Sequence, residues 1–332
     1  MIDTAKPYYY LTDMVGDRLQ DHKSLSRMGV KIYGNHFYLP HPFGYKNPAV
    51  YFNVEKRLYW LETSLPKLLQ GHNVFGTNDL QYLCLEAARL INRRLGLPFT
   101  SRECQQIEDH RIRLGRLDTT CSHIMPARSA VAVALEEAWL QFRADGKHWS
   151  MDGIDGVETL YNQKHSQRVT DKFYDKFAEL LVRRIPHCVP LREQIMKLAE
   201  LLLRYEVTWR GKELKRLDLD YADQWNREVV KEMMGKRLEQ LDFRGAIKVR
   251  LLESELDTLT MDMSKRDAVV YSLWQRGSDL RVGRHYPPIR KARESLRQHG
   301  VDIFRPYGSA SEFSLKEMLK AENARFGIPR GY

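Results

Sequence analysis

The chain lacks any apolar run approaching the ~20 residues a membrane-spanning helix needs. Its first stretch, Met1 to Tyr8, has no apolar core of the kind that makes a signal peptide. Its four cysteines, Cys84, Cys104, Cys121 and Cys188, have no paired spacing, so neither a disulfide framework nor a thiolate zinc site is suggested. Together these absences lead to the expectation of a reducing, cytoplasmic setting. There is no internal repeat or low-complexity tract, which argues against a solenoid. Acidic residues are outnumbered: 53 Lys and Arg against 43 Asp and Glu leave a formal charge of +10 over 332 residues. That excess favours a polyanionic partner, because each neutralised phosphate releases condensed counterions.

What is present reads as an α+β chain with a mostly antiparallel central sheet and flanking helices. Strands are expected at 30–33, 49–54 and 57–64, at 112–120 with apolar alternation, at 158–162 paired with 168–176, and at 203–209. Helices are expected at 77–95, from the capping box Thr100–Glu103, at 127–144, at 177–183 and at 191–201. From about residue 218 the chain becomes helix-rich and highly charged. Helices at 265–274 and 288–299 flank a basic connection and predict a helix-turn-helix-like duplex binder. The domain organisation expected is 1–215 for the α+β unit, 216–260 for a helical connector and 261–332 for a helical DNA-binding domain. Phosphate contacts are expected from Arg168, Arg276, Arg281, Arg284, Arg290 and Lys291.

Chemistry concentrates in three places. The first is Gly71-His72-Asn73-Val74-Phe75-Gly76, where two glycines bracket a His-Asn pair after a strand-like approach and before an amphipathic helix. Such a loop can hold the backbone tightly and present an imidazole at a sheet edge; alternatively, His72, Asn73 and Thr77 cap the next helix. The second is Arg168 to Leu180, containing Tyr174 and Lys176, which on a strand would share one face. The third is the pair of short strand motifs Arg116-Leu117-Asp118 and Arg204-Tyr205-Glu206. Residues i and i+2 share a strand face, so these arginine–carboxylate pairs could also be structural salt bridges.

The segment 67–77 closely resembles a signature of the filamentous-phage replication initiators, the gene II/X family, which nick one DNA strand to start rolling-circle replication. The resemblance runs from about residue 58 to 209 and extends distantly to plasmid rolling-circle initiators. It implies a relaxase-like (HUH-type) nicking domain with Tyr174 as nucleophile and Lys176 beside it, giving a 5′-phosphotyrosine and a free 3′-OH. Tyr161 is a second tyrosine candidate. It implies a divalent ion, Mg²⁺ or Mn²⁺, with Asp118, Glu206, His72 and Glu62 as candidate ligands, although the His-hydrophobe-His pair common in the wider superfamily is absent here. It also implies origin DNA as partner, a host helicase and single-strand-binding protein, and a bacterial host cytoplasm. The competing expectation is a non-enzymatic origin-binding regulator.

Overall fold

A strand that begins at the second residue sits in the middle of the sheet rather than at its edge. In the computed structural model, β1 (Ile2–Tyr10) lies between β5 (Leu58–Leu61) and β7 (Arg113–Ile124). The structure describes all residues except 11–21, 28, 47, 54, 57, 97–100, 110–111, 129, 133, 136–137, 140–148, 155–156, 242–262, 277, 279, 281–285, 299–300, 302, 305–318, 320–323 and 325–332. The remaining strands are β2 (Lys31–Tyr33), β3 (His36–Tyr38), β4 (Ala49–Asn53), β6 (Thr63–Ser64), β8 (Trp149–Ile154), β9 (Val157–Asn162), β10 (Val169–Asp175) and β11 (Leu202–Arg210). They order as β2-β3-β4-β5-β1-β7-β11-β10-β9-β8, with β6 also pairing with β1, and every pairing is antiparallel. The α+β architecture expected from the sequence is therefore the one that forms.

The sheet centre divides into two faces by the period-2 rule. Leu117, Thr119, Cys121, Phe173, Tyr205, Val207 and Trp209 share one face, set by the register Phe173–Tyr205–Cys121 and Asp171–Val207–Thr119. The helix Arg227–Leu241, inside the stretch read as a connector, is tied to this face. Thr119 Oγ1 lies 2.9 Å from Met234 Sδ, and Arg237 Nη2 reaches Asp171 Oδ2 at 2.5 Å. Asp118, Thr120, Ser122, Lys172, Tyr174, Arg204 and Glu206 occupy the other face. β7 is buried continuously from Leu117 to His123 rather than half-buried as its alternation suggested. Of its buried polar residues, Thr119 accepts from Trp209 Nε1 at 2.9 Å and Ser122 from Arg204 Nε at 3.0 Å.

Two readings near the signature change. Residues 57–64 split into β5 and β6, both pairing with β1. The strand-like approach is instead a helix, Leu65–Gln70, capped by Ser64 with Pro66 in its first turn, where proline's missing N–H costs nothing. Gly71 ends it at φ +83. The next helix, Leu80–Arg94, buries Leu80, Cys84, Ala87, Ala88 and Ile91, the positions its periodicity marks, and Asp79 rather than His72 or Asn73 is its cap. Helices also form at Ser101–Asp109, Lys176–Arg183 and Arg192–Ala199. The described residues between 130 and 139 are helical, and positions 140–144 of the expected 127–144 helix lie outside the described residues.

The chain divides into two compact units, Met1–Leu241 with Leu319–Tyr332, and Asp242–Met318. Within the second, helices Lys265–Gln275 and Pro287–Gln298 share an apolar core of Val270, Tyr271, Trp274, Ala292 and Leu296, joined by Val301 and Ile303.

Candidate active site

Tyr174 is held near the end of β10 by its register, opposite Arg204 on β11 and Thr159 on β9. It is 7% exposed, and its phenol donates a 3.1 Å hydrogen bond to Glu206 Oε2. The other oxygen of Glu206 is ion-paired with Lys172, its direct cross-strand partner. On β7, Arg116 grips Asp118 bidentately, through Nε at 2.9 Å and Nη2 at 2.7 Å, and reaches Glu62 Oε1 with Nη1 at 2.6 Å. These groups line one open cleft of about 700 Å³, which also takes in Asp3, Asn73, Lys67, Glu179, Tyr45 and Tyr161.

The charges in this cleft are mutually dependent. Burial, and next the nearby Glu206, push the Asp118 carboxyl up to about 6. Burial works on Glu206 in the same direction, but the Lys172 ammonium, with Arg116 and the Tyr174 hydrogen bond behind it, more than offsets burial and holds Glu206 below the usual carboxylate value. Burial, followed by the charge of Glu206, pushes the Tyr174 phenol well above its ordinary value, so the phenol keeps its proton in this state. Glu206 thus divides its two oxygens between the Lys172 ammonium and the Tyr174 phenol.

A second polar cluster lies behind the tyrosine. Lys176 is the first residue of the helix Lys176–Arg183, not a strand residue as its i+2 spacing from Tyr174 suggested, because Asp175 caps the helix at that point. Its ammonium nevertheless sits 6.0 Å from the Tyr174 ring centre. It donates to Asn73 Oδ1 at 2.7 Å and Glu179 Oε2 at 2.5 Å, while Lys67 donates to Glu179 Oε1 at 3.0 Å. Asn73 Nδ2 in turn donates to Asp3 Oδ2 at 2.8 Å, and Ser64 Oγ to Asp3 Oδ1 at 2.5 Å. Burial pulls the Lys176 ammonium down to about 7 despite Glu179. For Glu179 burial acts upward, but Lys176 and Lys67 more than offset it and hold the carboxyl well below its ordinary range.

Arg204 does not pair with Glu206. It is fully buried and turns both terminal nitrogens onto the signature loop, with Nη1 on the Asn73 carbonyl at 2.6 Å and Nη2 on the Val74 carbonyl at 2.5 Å, while Nε donates to Ser122 Oγ on β7 at 3.0 Å. The Arg-Tyr-Glu motif is thus two unrelated parts, a clamp and a cleft acid. Asp118 and Glu206 are brought together, and Glu62 joins them through Arg116. His72 does not line the cleft. Its ring packs edge-on against Phe75 at 4.6 Å, its Nδ1 has no hydrogen-bond partner among the described residues, and burial, then Lys176 and Arg204, lower it to about 4.

Of the residues expected to touch phosphate, Arg168, Arg276, Arg290 and Lys291 are not buried, while Arg281 and Arg284 lie outside the described residues. Arg293, in the same basic helix, is buried with its guanidinium 4.0 Å from the Phe304 ring centre. Sequence reasoning missed Lys172, Asp3 and the clamp role of Arg204. Lys172 could have been found from its place two residues before Tyr174; nothing local marks Asp3.

The fold and site define an antiparallel α+β protein whose sheet presents a tyrosine, paired acids and built-in cations to one cleft. Residues 17–228 match the model of the N-terminal region of the phage replication-associated protein, the gene II protein, and the chain belongs to that family. The match spans every cleft residue named above except Asp3. The chain is 25% identical over 242 residues to the replication-associated protein of the same type from Enterobacteria phage I2-2, covering 71% of this chain and 67% of that protein. A solved rolling-circle replication initiator protein from Geobacillus stearothermophilus is similar over 72% of this chain and 83% of its own, at 14% identity and a TM-score of 0.34.

Proposed function

We propose that this chain is a phage replication initiator that binds an origin and nicks one DNA strand through Tyr174, starting rolling-circle replication and later rejoining the displaced strand. The observation that carries this reading is the Tyr174 phenol, aimed at Glu206 in an open cleft that also holds Lys172 and Arg116. A phenol is a weak nucleophile, with an ordinary pKa of about 10, so attack requires an acceptor for its proton. Glu206 Oε2 already accepts that hydrogen bond. As the Tyr174 Oη–phosphorus bond forms and the bond from phosphorus to the 3′ oxygen breaks, the phenol proton passes to Glu206. The departing 3′ oxygen takes a proton from solvent. One phosphodiester is exchanged for another, which keeps the bond energy for rejoining.

Among the described residues no three His, Cys, Asp or Glu side chains converge on a metal-binding point. Asp118 and Glu206 nonetheless suit Mg²⁺ or Mn²⁺, which are held by one or two carboxylates with the remaining positions left to water and phosphate oxygen. The donor set supports this, since Lys172 already stands as a cation near both acids. Asp118 and Glu206 are the residues that would hold the ion, with Glu62 adjacent through Arg116; an ion there supplies positive charge against the phosphate. On the same reading a host helicase and single-strand-binding protein open and protect the strand in a bacterial cytoplasm. Arg276, Arg290 and Lys291 of the second unit contact duplex phosphates.

The test is incubation of supercoiled origin plasmid and single-stranded origin oligonucleotides with the wild-type chain and Tyr174→Phe. Expected are an open-circle product and a denaturant-stable adduct whose peptide maps to Tyr174, both absent in the variant. An adduct of undiminished yield in Tyr174→Phe overturns the assignment, and no nicking by the wild type leaves the regulator reading.

A further inference from the structure

Two lysines lie beside Tyr174, and they are built for different work. Lys172 is two residues before Tyr174 on β10, so both side chains leave the sheet on the same face. Its side chain is 19% exposed and lines the cleft. Its hydrogen-bonded partner is Glu206, the same carboxylate that accepts from the Tyr174 phenol. Lys176 has no exposed surface and does not line the cleft. Its ammonium is bound to Asn73 and Glu179, which join the signature loop to the helix that begins after Asp175. An ammonium offers three donors and accepts nothing, so a lysine locked in a buried network has little left for a ligand.

Given a nicking role for Tyr174, we propose that Lys172 is the catalytic cation that meets the scissile phosphate, and that Lys176 is a positioning residue. A phosphate entering the cleft brings negative charge beside Glu206, and the Lys172 ammonium transfers from the carboxylate to a phosphate oxygen. That move needs one side chain to turn and no change in the sheet. The leaving 3′ oxygen is protonated by solvent, as in the reading this rests on. Lys176 acts at one remove. By holding Asn73 and Glu179 it fixes the loop and helix start that fence the tyrosine ring.

The experiment uses the full chain and the single-stranded oligonucleotide on which the Tyr174 adduct has been mapped. Adduct formation is followed in single turnover on the ordinary phosphodiester and on the same oligonucleotide with a neutral methylphosphonate at the nick. Lys172→Met is expected to slow the phosphodiester by about 100-fold or more, the scale of losing one charge-stabilising donor, and the methylphosphonate by less than about ten-fold. Lys172→Arg, which keeps the charge, is expected to recover most of the rate, and circular dichroism checks that each variant is folded. Lys176→Met is expected to slow both substrates equally and to lower the thermal midpoint. Equal losses on both substrates for Lys172→Met, or no loss, overturn the proposal, as does a charge-selective loss in Lys176→Met. Failure of the Tyr174 reading is seen separately, as an adduct that persists in Tyr174→Phe.

Discussion

Arg204 and Asn73 are joined across 131 positions of sequence by a buried 2.6 Å hydrogen bond from guanidinium to main-chain carbonyl. With the companion bonds to Val74 and Ser122, it makes the glycine-bracketed loop part of the sheet. The side chain of the same Asn73 then receives the Lys176 ammonium and donates to Asp3. The loop is therefore the joint between the sheet face and the helix behind Tyr174, and the imidazole it carries is turned away from the cleft.

Replacing Arg204 by Met should destabilise the first unit by about 3–5 kcal/mol, because two buried carbonyls and a hydroxyl lose a charged partner together. Lysine should rescue little, since a single ammonium cannot reproduce the fork. Urea unfolding measures this; a loss below about 1 kcal/mol would mean the clamp is dispensable.

Gly71→Ala should cost about 1–3 kcal/mol. The residue sits at φ +83, and an added Cβ would lie 2.6 Å from Val189 Cγ2 and 2.9 Å from Phe43 Cδ1. Thermal melts of the variant should show a lower midpoint, with faster proteolysis at 71–76 in limited digestion. Gly76→Ala, whose nearest contact is the Met1 Sδ at 3.3 Å, should be milder.

His72 gives the fold an acid sensitivity of known sign. Its folded pKa of about 4 lies below the ordinary 6.5, so the unfolded chain binds the proton first. Its contribution is complete above about pH 6.5 and is lost as the pH falls toward about 4, up to about 3 kcal/mol in all. Asp118, raised to about 6, has the opposite sign, and that effect is common to wild type and variant. Going from about pH 7 to about pH 4.5, the unfolding free energy of His72→Asn should therefore fall less than that of the wild type, or rise where the wild type's stays level, and an identical change in the two proteins would refute the assignment.

Neutralising Arg276, Arg290 and Lys291 together should flatten the salt dependence of duplex origin binding by the full chain. Each lost phosphate contact removes about 0.9 from the slope of log K against log salt. Titrations from low to moderate salt give the slope, and a slope equal to wild type would place these three residues on a merely solvated surface.

Much of this molecule was legible in local pattern. Strands β7, β10 and β11, the pairing of β9 with β10 and the buried face of Leu80–Arg94 follow from periods of about 2 and 3.6, which depend only on backbone geometry, whereas the central strand β1 and the edge strand β8 were not read from the sequence. Tyr174, Asp118 and Glu206 could be named as candidates because the short motifs around them resemble those of the family. The division of labour between Lys172 and Lys176 could not. A strand continued through 176 looks as good in sequence as one stopped by Asp175, and only the capping bond to Ala178 makes Lys176 a helix residue turned inward. The place of Asp3 beside Asn73 and Ser64 was hidden for a different reason, namely separations of 70 and 61 residues.

By itself, then, the sequence determined most of the helices and of the strands after residue 100, and the family, because these rest on local spacing and on residue identity. The tertiary structure alone decided which cation faces the cleft, where His72 points and what Arg204 holds. Those outcomes depend on which distant groups can satisfy a charge once water is gone, and burial makes that choice nearly absolute.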